Sequence, residues 1–118
     1  MEKVNLVQKF QLFKEQWHPK IVGELNGQYV KLAKLQGKFV WHKHEAEDEL
    51  FLVIKGKLTI HTRDQEIFLQ EGEFLIVPKG VEHCPEADEE TWVLLLEPIS
   101  TLNTGDAGGD RTASSEWI

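Results

Sequence analysis

Gly37-Lys-Phe-Val-Trp-His42-Lys-His44-Glu-Ala-Glu-Asp-Glu49-Leu-Phe-Leu-Val-Ile-Lys-Gly56 combines two histidines, an acidic turn and an apolar run closed by glycine. Side chains two apart on a strand point to the same face, with backbones roughly 6.6 Å apart, so His42 and His44 can converge on one ion. Glu49 follows where the returning strand brings a carboxylate back toward them. On residue type alone Glu45, Glu47 and Asp48 compete for that role. A second stretch, Gly72-Glu-Phe-Leu-Ile-Val-Pro78-Lys-Gly80-Val-Glu-His83, carries a strand into a Pro-Gly turn and then to a lone histidine whose ring can complete the site.

Outward from these stretches the pattern is of short strands. Segments rich in Val, Ile, Leu and Phe are punctuated by Asn26-Gly27, Lys55-Gly56, Arg63-Asp64, Glu71-Gly72 and Pro78-Lys79-Gly80, all turn formers. This predicts strands over residues 20–25, 28–36, 38–43, 49–54, 58–62, 66–69, 74–77, 81–84 and 91–97. Regular turns without long intervening helices indicate an all-β sandwich or barrel of meander or jelly-roll topology. Before it, Leu6, Phe10, Phe13 and Trp17 form a helical stripe, with Asn5 as N-cap and Pro19 as terminator. After Pro98 the composition turns to Thr, Asn, Gly, Asp and Ser, and Trp117-Ile118 is expected either to dock or to stay exposed. The whole reads as one domain over 1–118: a helical segment at 1–18, a barrel at 20–98 and a tail at 99–118.

Gly37, four residues, His42-x-His44, four residues, Glu49, six residues, Gly56 resembles the first motif of the cupins. Gly72, five residues, Pro78-x-Gly80, two residues, His83 resembles the second. Two departures stand out: Gly37 lies one residue closer to His42 than is common, and Ala87 stands where an Asn often follows the second-motif histidine. The resemblance spans about residues 20–98 and is similar to the small single-domain conserved-barrel cupins. It implies an all-β cupin jelly-roll β-barrel, often dimeric, in which His42, His44, Glu49 and His83 bind one divalent transition metal ion. The mixed N and O donors suit Fe, Mn, Ni, Cu, Co or Zn alike.

Three neutral imidazoles and one carboxylate leave such an ion with a charge of about +1 and, in six-coordination, two open positions. That chemistry suits a metal-dependent enzyme acting on a small organic molecule, of oxygenase, isomerase or lyase type. No motif ties a further acid, base or nucleophile to the ion, so catalytic residues are not assigned, and a non-catalytic metal- or metabolite-binding module is the alternative. Strand alternation nominates Val40, Phe51, Val53 and Val81 as cavity lining. Trp41, Phe74 and Trp92 are expected in the core or an interface, and His18 and His61 receive no role.

The net charge of -7 disfavours nucleic acid as a partner. The longest apolar runs are strand-sized, so no membrane span is expected. The Met1-Glu-Lys-Val-Asn start is unlike a secretory signal, and a single cysteine, Cys84, forms no intrachain disulfide; both point to the cytoplasm. Alternation aims Cys84 away from the ion, and the acidic stretch Glu86–Glu90 is expected to be a solvated loop. A homodimer is anticipated through the N-terminal stripe and Trp117-Ile118.

Overall fold

The computed structural model describes residues 1–118. One short helix, α1 (Leu6–Phe10), precedes strands β1 (Lys20–Leu25), β2 (Gln28–Lys38), β3 (Glu49–Lys55), β4 (Leu58–Thr62), β5 (Glu66–Leu69), β6 (Phe74–Val77), β7 (His83–Pro98) and β8 (Glu116–Trp117). The order β5-β4-β7-β2-β1-β8, with β3 bridging β7 and β6, makes the jelly-roll barrel. β1 and β2 are joined by the two-residue turn Asn26-Gly27, both at positive φ, as a tight hairpin requires.

β7 organises the barrel. Its first part pairs with β4 from His83↔Thr62 to Glu86↔Thr59, its second with β3 from Trp92↔Lys55 to Leu96↔Leu50, and β2 runs along its other edge. Alternation along its second half sends Thr91, Val93, Leu95 and Glu97 inward, where Val93 and Leu95 join Ala33, Leu35, Phe51, Val53, Leu58 and Ile60 in the core. Trp92, Leu94 and Leu96 face outward.

That outer face is itself apolar. In-register rows place Ile76, Leu50, Leu96 and Val30 side by side, and Phe74, Leu52, Leu94 and Leu32 beside them. The N-terminal segment covers only the β2 side of this face, with Phe10 stacked on Trp92 at 4.6 Å and Phe13 packed beside Leu32 and Val22. Phe74 and Ile76, on β6, remain exposed.

Several sequence expectations are corrected. The stripe through Trp17 is not one helix; α1 ends at Phe10, capped at its start by the Asn5 side chain accepting from the Gln8 N–H. Phe10 and Phe13 serve the outer cluster whereas Trp17 belongs to the inner one, stacked on Phe39 at 4.5 Å, and a single helix face cannot reach both. Of the strand expected over residues 38–43, Lys38 ends β2 and 39–43 are irregular chain touching β7 through Phe39 and an isolated bridge at His42. Phe39 and His42 are both buried although three apart, which a period of two forbids. The strands expected at 81–84 and 91–97 are one strand starting at His83, and the acidic stretch Glu86–Glu90 lies within it rather than in a loop; Asp88, Glu89 and Glu90 still face solvent.

Residues 99–118 fold back on the barrel. Glu116 and Trp117 add a parallel strand beside Lys20 and Ile21, and the Ile118 N–H donates to the Ile21 carbonyl. Thr101 and Thr104 are buried. The surfaces on which the sequence rested self-association are therefore largely used within the chain: the N-terminal stripe is buried and Ile118 packs on the outer cluster, leaving Trp117 exposed. No helix is long and apolar enough to cross a membrane.

Candidate metal centre

His42, His44, Glu49 and His83 come together inside the barrel, one donor atom of each lying within 4.8 Å of the others. They are 3%, 4%, 4% and 0% exposed, so water does not solvate them. Of the competing acids, Glu45 and Asp48 are exposed, and Glu47 accepts from the Ser100 hydroxyl. Glu49 is the first residue of β3 and points inward with Phe51 and Val53.

Backbone pairing sets the positions. The N–H and carbonyl of His42 exchange hydrogen bonds of 3.0 and 2.8 Å with those of His83, joining the two motif stretches. The Gly80 N–H donates to the His44 carbonyl at 2.8 Å, and the Lys79 N–H donates to the Asp48 carboxylate at 2.8 Å, so the Pro-Gly turn braces the acidic turn. Each paired histidine uses the same local device: Nδ1 lies 2.8 Å from the Val40 carbonyl in His42 and 2.9 Å from the Val81 carbonyl in His83. A carbonyl only accepts, so the proton sits on Nδ1 and Nε2 is left as a lone-pair donor.

Several of those donor atoms lack partners. Nδ1 and Nε2 of His44, Oε1 of Glu49 and Nε2 of His83 are buried without a hydrogen bond. The Glu49 Oε1 lies 3.4 Å from the His44 Nε2 and 3.5 Å from the His83 Nε2. Neighbouring donors around a six-coordinate ion with bonds of about 2.1 Å are about 3.0 Å apart, so a small contraction brings these atoms to ligand spacing. Each buried polar atom left unpaired costs about 1–3 kcal/mol, and a single cation in their midst would satisfy them together. The residues fit a metal ion.

The electrostatics are uneven. Burial, with His83 beside it, pushes His42 down to about 4. Burial pushes His44 down too, but the Glu49 carboxylate beside its Nε2, helped by the charges of Glu47 and Asp106, outweighs it and leaves His44 raised. Burial alone would raise Glu49; the closeness of Glu97, His44 and His83 reverses this and holds it well below the usual carboxylate range.

A cavity of about 30 Å³, room for roughly two waters, adjoins the cluster. His42, Glu49 and Glu97 form its polar side, Phe39, Phe51 and Leu95 part of its apolar wall, and Trp17 and Asn103 also line it. Of the four residues nominated as lining, Phe51 is there. Val53 is core, and Val40 and Val81 pack at the core's edge, their carbonyls holding the histidines. Trp41 lies under the Arg63 guanidinium, 3.8 Å from its ring centre, and Cys84 is buried with Sγ toward the Phe39 carbonyl, away from the cluster as expected. His61 pairs with Glu86 at 2.7 Å, and His18 is exposed.

Sequence reasoning missed Glu97 and Lys31. Both occupy inward positions of apolar alternations, Val93-x-Leu95-x-Glu97 and Lys31-x-Ala33-x-Leu35, and a charge in an inward register was the available signal. It also missed the strap over the histidines. The Lys43 N–H donates to the Asp106 carboxylate at 2.9 Å, and the Asp106 N–H returns a bond of 3.0 Å to the Lys43 carbonyl.

A barrel of this topology with this cluster is a cupin, and comparison with known proteins agrees. The cupin-domain family model matches residues 28–97, more than half of the chain, and the chain belongs to that family. It is 36% identical over 77 residues to the protein YdbB of Bacillus subtilis, covering 64% of this chain and 68% of that one. It is similar to the crystal structure of a cupin-2 domain protein from Shewanella frigidimarina, with 47% identity and a TM-score of 0.80 over 80% of this chain and 93% of the other. A Neisseria meningitidis protein matches at 32% identity and a TM-score of 0.76, covering 82% and 99%.

Gly105 carries the test of the strap. It sits at φ 52°, where an added Cβ would lie 2.3 Å from the Lys43 carbonyl oxygen and 3.1 Å from the His42 ring. Gly105→Ala is expected to cost more than about 1 kcal/mol, read as a lower thermal midpoint. An unchanged midpoint would mean that the strap does not press on the histidine segment.

Proposed function

We propose that this chain is a metal-dependent cupin enzyme acting on a small organic molecule, with one divalent transition metal ion held by His42, His44, Glu49 and His83. The observation that carries this reading is the convergence of unpartnered, buried donor atoms of His44, Glu49 and His83 with the buried His42 ring beside them. When bound, the ion supplies Lewis acidity, activation of water, or a seat for dioxygen or a chelating substrate. The chain's own residues do the rest. Val40 and Val81 fix the imidazole tautomers, Glu49 offers the negative charge, and Phe39, Phe51 and Leu95 keep bulk water from the adjoining cavity. We place the reaction in the oxygenase, isomerase or lyase class and the protein in the cytoplasm.

A non-catalytic module is the second reading, and the size of the cavity favours it. Room for roughly two waters does not admit an organic molecule of many atoms unless the lining side chains move apart.

Protein purified without chelator or nickel resin and reconstituted with Fe²⁺, Mn²⁺, Co²⁺ or Zn²⁺ should bind about one ion per chain. His83→Ala should lose that stoichiometric binding while the barrel stays folded. Full occupancy with an unaltered coordination spectrum in His83→Ala would sink the four-ligand assignment.

The pH dependence has a defined sign. His42, pushed down to about 4, is uncharged near neutrality, whereas His44, raised by Glu49, keeps its second proton to higher pH than an ordinary imidazole, and an incoming ion must displace that proton. Apparent affinity should therefore fall as pH drops through the His44 titration, by about tenfold per pH unit for one displaced proton, with His42 adding its own loss only near pH 4. Chelator competition with Co²⁺ between about pH 8.5 and 5.5 reads this slope; a flat profile would contradict it.

We propose also that two chains pair through the uncovered part of the outer face, Phe74 and Ile76 with Leu50, Leu52 and Leu96. The family's tendency to dimerise supports this, as does the apolar character of a sheet face that would be polar if it met only water. Sedimentation at micromolar concentration should give a dimer for the wild type and a monomer for Ile76→Glu; a monomeric wild type would refute it.

A further inference from the structure

β7 delivers a second buried carboxylate that the four-donor set does not use. One step beyond the Leu50↔Leu96 pair, the β3–β7 register sets Glu97 directly across from Glu49 on the inward face. Glu97 is 1% exposed, and its Oε1 lies 3.0 Å from the Nζ of Lys31, also buried. Its Oε2 is sealed from water without a hydrogen bond to any donor, and the side chain lines the same cavity as His42 and Glu49.

Like charges directly opposite on paired strands repel, and burial sharpens the conflict. Lys31 relieves it from β2: Tyr29 is the residue paired with Glu97, and Lys31, two further along on the inward face, reaches the carboxylate diagonally. A Lys–Glu pair kept only for stability has no reason to stand against Glu49, because buried ion pairs are weak contributors to stability. Carboxylate ligands, in contrast, are commonly oriented by the groups standing behind them, and Glu97 stands behind Glu49 by register.

We propose that Glu97, anchored by Lys31, is a positioning residue for Glu49, fixing that carboxylate so that its Oε1 faces the three imidazoles. This rests on the reading of Glu49 as a metal ligand. The chain Lys31–Glu97–Glu49 runs across three neighbouring strands, so the geometry of the centre depends on the registers of β2, β7 and β3 together.

The test titrates wild type, Glu97→Gln, Glu97→Leu and Lys31→Met with Co²⁺. It records visible absorption and chelator competition, with thermal melts of the same metal-free samples. Glu97→Leu should weaken Co²⁺ binding by about 10–100-fold and shift the visible spectrum. Glu97→Gln keeps the shape and an oxygen for Lys31, and should restore most of both. Lys31→Met, which frees Glu97 from its anchor, should shift the spectrum in the same direction as Glu97→Leu. Wild-type affinity and spectrum in a folded Glu97→Leu overturn the proposal. If that variant does not fold, a wild-type affinity and spectrum in Lys31→Met overturn it instead. A wild type that binds no Co²⁺ removes the metal reading itself, an outcome distinct from a wild type that binds and variants that bind equally well.

Discussion

The reciprocal backbone hydrogen bonds between His42 and His83 join two parts of the chain that no local turn brings together. One residue sits on irregular chain after β2 and the other begins the longest strand. Their pairing closes the barrel at the point where the rings must meet, with centres 4.4 Å apart. In both residues the ring is then tethered to the carbonyl two positions earlier, so backbone geometry alone fixes which nitrogen faces inward. Glu49 and His44 take their places around that pair, the first by strand alternation and the second by its carbonyl bond to Gly80.

The interior and exterior of the barrel solve different problems. Inside, a largely apolar core excludes water and makes a small group of polar atoms strongly dependent on one another; Glu49 shifts both His44 and Glu97 and is shifted by them in turn. Burial raises Glu97, Glu49 adds to the effect, and Lys31 opposes it. Outside, the sheet formed by β6, β3, β7 and β2 is apolar as well, and the N-terminal segment covers one side of it. Burial of Phe10 and Phe13 against this face explains why the helical stripe keeps its apolar residues although most of it is not helical.

Much of this was legible in the sequence. The strand spacing and the Gly and Pro punctuation gave an all-β sandwich or barrel, and the resemblance of the paired motifs to those of the cupins chose the barrel and singled out the four residues that the fold gathers. What was not legible depended on long-range pairing. Trp17 left the expected helix because its partner, Phe39, belongs to a different cluster from that of Phe10. The segment at 38–43 lost its strand because Phe39 and His42 both had to turn inward. Glu86–Glu90 read as a loop from its charge, yet the edges of β4 and β2 hold the backbone there in strand form. Glu97 and Lys31 appeared as isolated charges within strands, and only the register of β7 against its neighbours brings Glu97 to the cavity and Lys31 to Glu97.

The span of β7 also dictates the order in which the molecule can assemble. β2 emerges early in synthesis, but its long partner is made only after β3, β4, β5 and β6, so the β2 edge waits unpaired while most of the barrel is translated. Before that, the only pairings available to the barrel are the β1–β2 and β4–β5 hairpins and the β3–β6 pair. The arrival of β7 then lets three separate strands pair in a single stage, a topology of high contact order that folds slowly and leaves strand edges open to other chains until it completes.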